Sequence, residues 1–345
     1  MASSAPFLSS WHVRPARAAD LEALLALARL TGGGFTNLPQ DRAALAERIA
    51  WSERSLAADV ADPGDELYLL VLEERSTGRI GGTACLYARV GMRWPFYSYK
   101  ITSIALRSRE LDRTFRTRVL HLVNDFDGCS EVGGLFLHPD LRSGGLGRLL
   151  ARSRYLFIAG HRARFADRVL AELRGVIDAH GNAPFWDALA GRFFGMPFRE
   201  ADHFNSVHGN QFIADLMPKY PVYEVLLSDE ARAALGQPHP AGRAALTMLE
   251  AEGFRFNGYV DIFDGGPTVD AETDSLKTVR EATWSAVTGH LTAQAAEGVP
   301  PSLAAGGRLG AFRAFAAPLV MAGDGLALPA ALGLAPGEEV LHAGF

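Results

Sequence analysis

The sequence predicts an α+β fold: a mixed, mostly antiparallel sheet flanked by helices, with a second half that echoes the first and a C-terminal subdomain. Three observations predict it. The apolar runs 67–72 and 80–87, joined by a turn at Arg75-Ser76-Thr77-Gly78, read as a β-hairpin. The run 131–137 reads as a strand that Pro139 must end, since proline has no N–H for the ladder, and a glycine-rich turn then opens into a helical pattern over 148–157. Stretches 21–28, 41–55 and 183–194 repeat apolar residues at helical spacing instead of alternating them.

In chain order, residues 1–11 are a leader of small residues expected to be disordered, with the first short strand over Trp11–Pro15. Asp20 stands as the N-cap of a helix carrying Leu21, Leu24, Leu25, Leu27 and Ala28. Thr31-Gly32-Gly33-Gly34-Phe35-Thr36-Asn37-Leu38-Pro39 breaks that helix, because three successive glycines make a loop. After the hairpin, further strands are expected near 97–105 and over 169–177, and Gly195-Met196-Pro197 stops the helix 183–194. A helix over 240–252, a turn at Gly253 and a strand over 259–263 echo the earlier units. Beyond Asp274 alanine and glycine dominate with little periodicity. The chain is thus divided into the leader, a first domain over 12–200, a second half over 201–274 and a peripheral C-terminal subdomain over 275–345.

Composition narrows the class. With 345 residues the chain is long enough to bury a substantial core. Lys plus Arg is 34 against 39 Asp plus Glu, a net charge of −5 that argues against a nucleic-acid partner. No apolar run approaches the roughly 20 residues of a membrane helix, and the opening Met-Ala-Ser-Ser-Ala-Pro-Phe lacks a signal-peptide pattern. Cys85 and Cys129, the two cysteines, cannot build a disulfide framework or a four-cysteine zinc site, and no metal is expected. The expectation is a cytoplasmic protein with no membrane and no nucleic-acid partner.

Chemistry concentrates in Arg142-Ser143-Gly144-Gly145-Leu146-Gly147, between the strand ended by Pro139 and the helix that follows. Glycines there let backbone approach a ligand closely, and free N–H groups at a helix N-terminus attract phosphate. A dinucleotide fingerprint would need glycine where Leu150 stands, and the lysine of a P-loop is absent. What matches is Arg/Gln-x-x-Gly-x-Gly/Ala, carried by Arg142, Gly145 and Gly147 with Gly144 beside them.

That arrangement resembles the acyl-CoA pyrophosphate loop of the GNAT N-acyltransferases. Longer segments resemble bacterial arginine N-succinyltransferases: the glycine loop 31–39, Glu172-Leu173-Arg174-Gly175-Val176-Ile177-Asp178, Phe212-Ile213-Ala214-Asp215-Leu216-Met217-Pro218-Lys219, Gly236-Gln237-Pro238-His239-Pro240, and Tyr259-Val260-Asp261-Ile262-Phe263-Asp264-Gly265-Gly266-Pro267-Thr268. The likeness spans 12 to about 270 and fades over 275–345.

The resemblance implies a GNAT-like fold, with 201–274 completing the active site, and transfer of succinyl from succinyl-CoA to the α-amino group of L-arginine, the first step of arginine catabolism by the succinyltransferase route. It makes succinyl-CoA a co-substrate, not a permanently bound cofactor. It also implies His239 as proton donor, Leu135 as a succinyl-CoA contact, and a homodimer or a pairing with a related subunit. Histidine suits proton transfer near neutrality. A guanidinium calls for carboxylates, and Asp125 and Glu131, just before the motif strand, are the candidates. For the succinyl carboxylate, Arg174, the glycine loop and Lys219 stand unranked. Ornithine or another basic amino acid as acceptor, and a non-catalytic subunit beside an active paralogue, are the alternatives.

Overall fold

The computed structural model describes residues 8–31, 37–178, 180–201, 204, 212 and 216–345. Strand β1 (Trp11–Pro15) leads into helix α1 (Leu21–Arg29). Asp20 does not cap that helix. Its carboxylate is taken by Arg14 at 2.8 and 2.9 Å and by the Arg17 N–H at 2.8 Å, a bidentate pair that holds it more strongly than a cap could. Helix α2 (Arg42–Ala57) is capped by Asp41, which accepts from the Ala44 N–H.

The predicted hairpin forms as β2 (Leu67–Glu74) and β3 (Ile80–Tyr87). A second, longer hairpin follows as β4 (Ser98–Ser108) and β5 (Arg113–Val123), of which the sequence disclosed only the first strand. Strand β6 (Ser130–Leu137) passes through its glycine turn into α3 (Leu146–Gly160). Strand β7 (Arg168–Glu172) is shorter than expected. The helix expected over 183–194 is two, α4 (Pro184–Ala188) and α5 (Ala190–Phe194), broken where Leu189 leaves helical geometry at φ −126°, ψ −88°. Next come β8 (Val222–Tyr223), α6 (Asp229–Ala234), α7 (Arg243–Glu252), β9 (Arg255–Asp261) and β10 (Pro267–Glu272). The C-terminal stretch holds α8 (Lys277–Glu281), β11 (Thr283–Leu291), β12 (Pro301–Gly306), β13 (Arg313–Pro318), β14 (Val320–Ala322), β15 (Gly325–Pro329) and β16 (Glu339–Gly344).

These elements gather into two compact units, each built from separated stretches. The first runs to Ala88 and adds Ser130–Asp167 and Glu272–Phe345; the second comprises Arg89–Cys129 and Arg168–Ala271. The division therefore differs from contiguous boundaries at 200 and 274, because strand pairing across long sequence separations leaves no mark in local composition.

In the first unit the strands run β14-β15-β11-β16-β12-β13-β1-β2-β3-β6, antiparallel except for β11 with β15. Helices α1 and α2 bury Leu24, Leu27, Leu45 and Ile49 with Leu69 and Val71 of β2. The C-terminal stretch is integral here, not peripheral. Strand β13 pairs with β1, and Arg152 of α3 donates to Thr278 Oγ1 at 2.8 Å and to the Gly344 carbonyl at 2.6 Å. Within the predicted leader, Leu8 is buried and the Ser10 carbonyl accepts from the Arg75 N–H at 2.9 Å; residues 1–7 lie outside the described set.

In the second unit the order is β7-β10-β9-β4-β5-β8, with β9, β4, β5 and β8 pairing antiparallel in turn. Its core gathers Tyr99, Leu120, Phe185, Trp186 and Val260, and a second cluster packs Phe126, Leu170 and Tyr259.

Candidate active site

In the first unit the site is built on β6. Thr83 pairs with Phe136 and Cys85 with Gly133, so Ala84 of β3 faces two residues, Gly134 and Leu135. This is a β-bulge, which takes the strand out of regular pairing and re-aims its backbone. Only glycine fits at its first position. Gly134 has φ +57°, and a Cβ there would lie 2.5 Å from Cys85 Sγ. Leu135, the next residue, thus follows the point where the backbone turns.

The strand ends at Leu137, and His138 begins a short turn by accepting the Asp140 N–H on Nδ1 at 3.3 Å. Arg142, Ser143 and Gly144 are exposed, and Gly144 and Gly145 take φ of +72° and +89° in succession. Helix α3 then starts with no side chain capping it. Its first N–H groups and its dipole make this end attractive to an anion. At Gly147 a Cβ would meet nothing nearer than Leu137 Cδ2 at 3.7 Å, so packing does not require that glycine. Leu8 lies 3.3 Å from where a Gly145 Cβ would be and borders the bend on one side. Arg142 bonds the Leu137 carbonyl through Nε at 3.4 Å, with its guanidinium 5.9 Å from the Phe136 ring centre.

Beside the bulge lies a polar cluster. Arg48 of α2 donates to Tyr87 Oη at the end of β3 and to Asn37 Oδ1 at 3.3 Å, and Tyr87 donates to the same oxygen at 2.6 Å. Asn37 reaches the bulge, its Cβ 3.4 Å from where a Gly134 Cβ would stand. Glu131 joins the group, since a Cβ on Gly133 would lie 2.9 Å from both Glu131 Oε1 and Asn37 Nδ2. Burial pushes the Glu131 carboxyl up to about 7, against the pull of the Arg48 charge, so it can exchange a proton near neutrality. Cys85, buried beneath the bulge, has its thiol pushed up to about 11 and is not a ready nucleophile.

The second unit holds His239. It caps the turn that opens at Pro240, its Nδ1 accepting the Ala241 N–H at 3.2 Å. In the neutral ring the proton then sits on Nε2. The His239 N–H donates to the Arg174 carbonyl at 2.7 Å. Burial and then the Arg174 charge hold the imidazole below its usual range. Arg174 Nε is buried without a hydrogen-bond partner among the described residues. Both residues are fixed by the loop between β9 and β10: Asp264 accepts from Gly175 N–H at 2.7 Å, and the Gly236 N–H donates to Gly265 at 2.8 Å. A Cβ at Gly175 would fall 2.5 Å from the Asp264 carbonyl, which explains the glycine. Asp125 is elsewhere in this unit, accepting from Tyr259 Oη at 2.9 Å.

The predicted residues are therefore grouped by unit. Leu135, Arg142, Gly144, Gly145 and Gly147 share one strand–bend–helix, with Glu131 at its head, whereas His239 and Asp125 belong to the second unit with different partners. Gly32–Thr36 of the glycine loop and 213–215 of the 212–219 segment lie outside the described residues. Sequence reasoning missed Arg48 and Tyr87. The available signal was an arginine three residues after Leu45 and four before Ser52, both buried, on what otherwise read as a plain amphipathic helix.

A bulged strand running through a glycine bend into an uncapped helix places re-aimed backbone beside an anion-attracting helix end, and the similarity to named acyltransferases gives the class: this is an acyltransferase. The family model described as arginine N-succinyltransferase beta subunit matches residues 11–278. The arginine N-succinyltransferase subunit beta of Pseudomonas aeruginosa is 46% identical over 270 residues, covering 78% of this chain and 79% of that one. The arginine N-succinyltransferase of Salmonella schwarzengrund is 44% identical over 272 residues, 78% of each. Among solved structures, the arginine/ornithine succinyltransferase subunit AI from Pseudomonas aeruginosa superposes with a TM-score of 0.86 at 34% identity, covering 97% of this chain and 99% of that one. The chain belongs to the arginine N-succinyltransferase family. No helix among the described residues is long and apolar enough to cross a membrane.

Proposed function

We propose that this chain is a cytoplasmic enzyme that transfers the succinyl group of succinyl-CoA to the α-amino group of L-arginine, giving N2-succinyl-L-arginine and CoA. The observation that carries this reading is the family match over 11–278, a span that contains every residue assigned a role below.

The α-amino group, with a reference pKa of roughly 8, must lose a proton before it attacks the thioester carbonyl. The Leu135 N–H, after the bulge, serves the oxyanion of the tetrahedral intermediate. When that intermediate collapses the C–S bond breaks and the C–N bond stays; His239 serves as proton donor to the departing thiolate, and the proton it gives is replaced by the one the attacking nitrogen loses as it becomes an amide. The bend from Arg142 through Gly144 and Gly145 to Gly147 takes the CoA diphosphate at the α3 N-terminus. Of the cations near these groups, Arg48 lies beside the bulge and suits the distal carboxylate of the succinyl group. Glu131 and Asp125 are assigned to the guanidinium. Both cysteines are buried, which favours direct transfer in a ternary complex over an acyl-enzyme.

Ornithine is the second reading for the acceptor, favoured by the solved relative, which is named an arginine/ornithine succinyltransferase subunit. The chain works as a homodimer or paired with a related subunit. Retention of Arg142, Gly145, Gly147 and His239 speaks against an inactive partner role. A thiol-release assay with purified protein tests the proposal, offering succinyl-CoA or acetyl-CoA against arginine, ornithine and lysine. Turnover with succinyl-CoA and arginine supports it. Tight succinyl-CoA binding without turnover would reject it in favour of the non-catalytic subunit.

A further inference from the structure

Arg174 is fixed by its backbone, while its guanidinium has no partner. It follows β7 in a stretch without regular pairing, yet the chain is held on both sides of it. The Leu173 N–H donates to the Pro267 carbonyl at 3.1 Å and the Gly175 N–H to Asp264 Oδ2 at 2.7 Å. Asp264 Oδ1 accepts the Gly266 N–H at 2.8 Å, so both oxygens of this buried carboxylate are taken by backbone donors. A Cβ on Gly266 would fall 2.1 Å from the Leu173 carbonyl oxygen, which keeps the two segments in close contact. The Arg174 side chain takes part in no hydrogen bond or ion pair among the described residues, and its Nε is buried without an acceptor. Burying a charged donor with nothing to receive its proton is costly, and native structures that do so call for an explanation. For a planar cationic fork that explanation is an anion arriving with the substrate.

The neighbour of Arg174 says which anion. Its carbonyl accepts the His239 N–H at 2.7 Å, so the two residues are adjacent. After burial, the Arg174 charge is what holds the His239 imidazole below its usual range. His239 is the residue assigned to proton transfer at the reacting atoms. An α-amino acid carries its carboxylate on the same carbon as the attacking nitrogen, whereas the free carboxylate of a succinyl group stands at the far end of its chain. A cation next to the proton-transfer histidine therefore matches the acceptor, not the acyl group, whose carboxylate is assigned to Arg48.

We propose that Arg174 binds the α-carboxylate of the acceptor amino acid, so that the enzyme takes α-amino acids and rejects amines that lack the carboxylate. This rests on the reaction proposed above and deepens it by assigning the residue that recognises the α-carbon end of the acceptor; the guanidinium end stays with Asp125 and Glu131.

The test measures thiol release from succinyl-CoA with arginine, argininamide and agmatine (arginine without its carboxylate) for wild type, Arg174→Ala and Arg174→Lys, with folding checked by circular dichroism. Wild type should show a kcat/KM for arginine on the order of 10²-fold above that for either analogue, the scale for losing a charge-assisted pair. Arg174→Ala should raise the KM for arginine by a similar factor, leave the KM for succinyl-CoA unchanged, and bring arginine and agmatine close to equality. Differences in amine basicity cancel, because the arginine-to-agmatine ratio is compared between wild type and variant. Arg174→Lys should recover part of the arginine KM, since it keeps the charge but not the fork. The analogue comparison on wild type needs no variant to fold. A wild type that handles agmatine as well as arginine overturns the proposal, as does a variant that keeps the wild-type preference. A raised KM for succinyl-CoA with arginine unaffected would give Arg174 to the succinyl carboxylate, and a fall in kcat alone would confine it to the histidine; either overturns the assignment. Calorimetric binding of arginine and agmatine to wild type and Arg174→Ala decides the same point without turnover. Failure of the reaction itself looks different: no thiol release by wild type with any amine.

Discussion

Substituting Gly134 by alanine tests the geometry on which the oxyanion assignment rests. An alanine at φ +57° costs about 1–2 kcal/mol for the left-handed backbone. Its Cβ would also fall 2.5 Å from Cys85 Sγ, which is fully buried on the adjacent strand and cannot swing into solvent. Overpacking of that kind adds about 1–3 kcal/mol. The expected total is a destabilisation of about 2–5 kcal/mol, measured by urea unfolding. Cys85→Ala removes the sulfur and leaves Cys85 Cβ as the neighbour at 3.2 Å, so the double variant should recover the overpacking part but not the backbone part. Any relief at the bulge shifts the Leu135 N–H, and loss of one oxyanion donor costs on the order of 10²-fold in kcat. The single variant should therefore lose activity even when assayed well below its unfolding midpoint. A Gly134→Ala protein within about 0.5 kcal/mol of wild type, with no coupling to Cys85→Ala and normal kcat, would refute the reasoning.

Three further outcomes follow from the same geometry. His239→Ala should lower kcat by about 10²-fold with folding intact, and steady-state kinetics with a near-normal kcat would remove His239 from the mechanism. Arg142→Ala should raise the KM for succinyl-CoA more than that for arginine; the reverse pattern counts against the bend as the diphosphate site. Glu131, raised from its ordinary 4.5 to about 7, favours folding in its protonated form, so its contribution is complete at acid pH and is lost as pH rises through that window. Glu131→Gln should flatten the stability profile between those values, by about 3 kcal/mol at most, as read from unfolding at several pH values. An unchanged profile would mean that the carboxyl is not held as described.

Local grammar was legible wherever it recorded local physics. The β2–β3 hairpin, helix α2, and the run from β6 through Gly144 and Gly145 into α3 are written in turn residues, helical spacing and apolar runs, all within a few residues of one another. Asp20 shows the limit: its capping position is clear in sequence, but Arg14 on the preceding strand takes the carboxylate instead. The helix over 183–194 breaks at Leu189, and the second strand of the long hairpin was hidden because its outer half, Arg113-Thr114-Phe115-Arg116-Thr117-Arg118, shows no apolar alternation.

By itself the sequence determined the chemistry available: a glycine bend before a helix, a histidine set between prolines, and a chain whose segments match a known succinyltransferase family. Tertiary structure alone decided where the units divide, that the alanine-rich strand β13 pairs with β1, and that Arg48, Tyr87, Asn37 and Glu131 meet beside the bulge. The reason is range. Turn and cap preferences act over a few bonds and so leave a mark in neighbouring residues, whereas strand pairing and buried charge clusters join positions up to hundreds of residues apart and leave none.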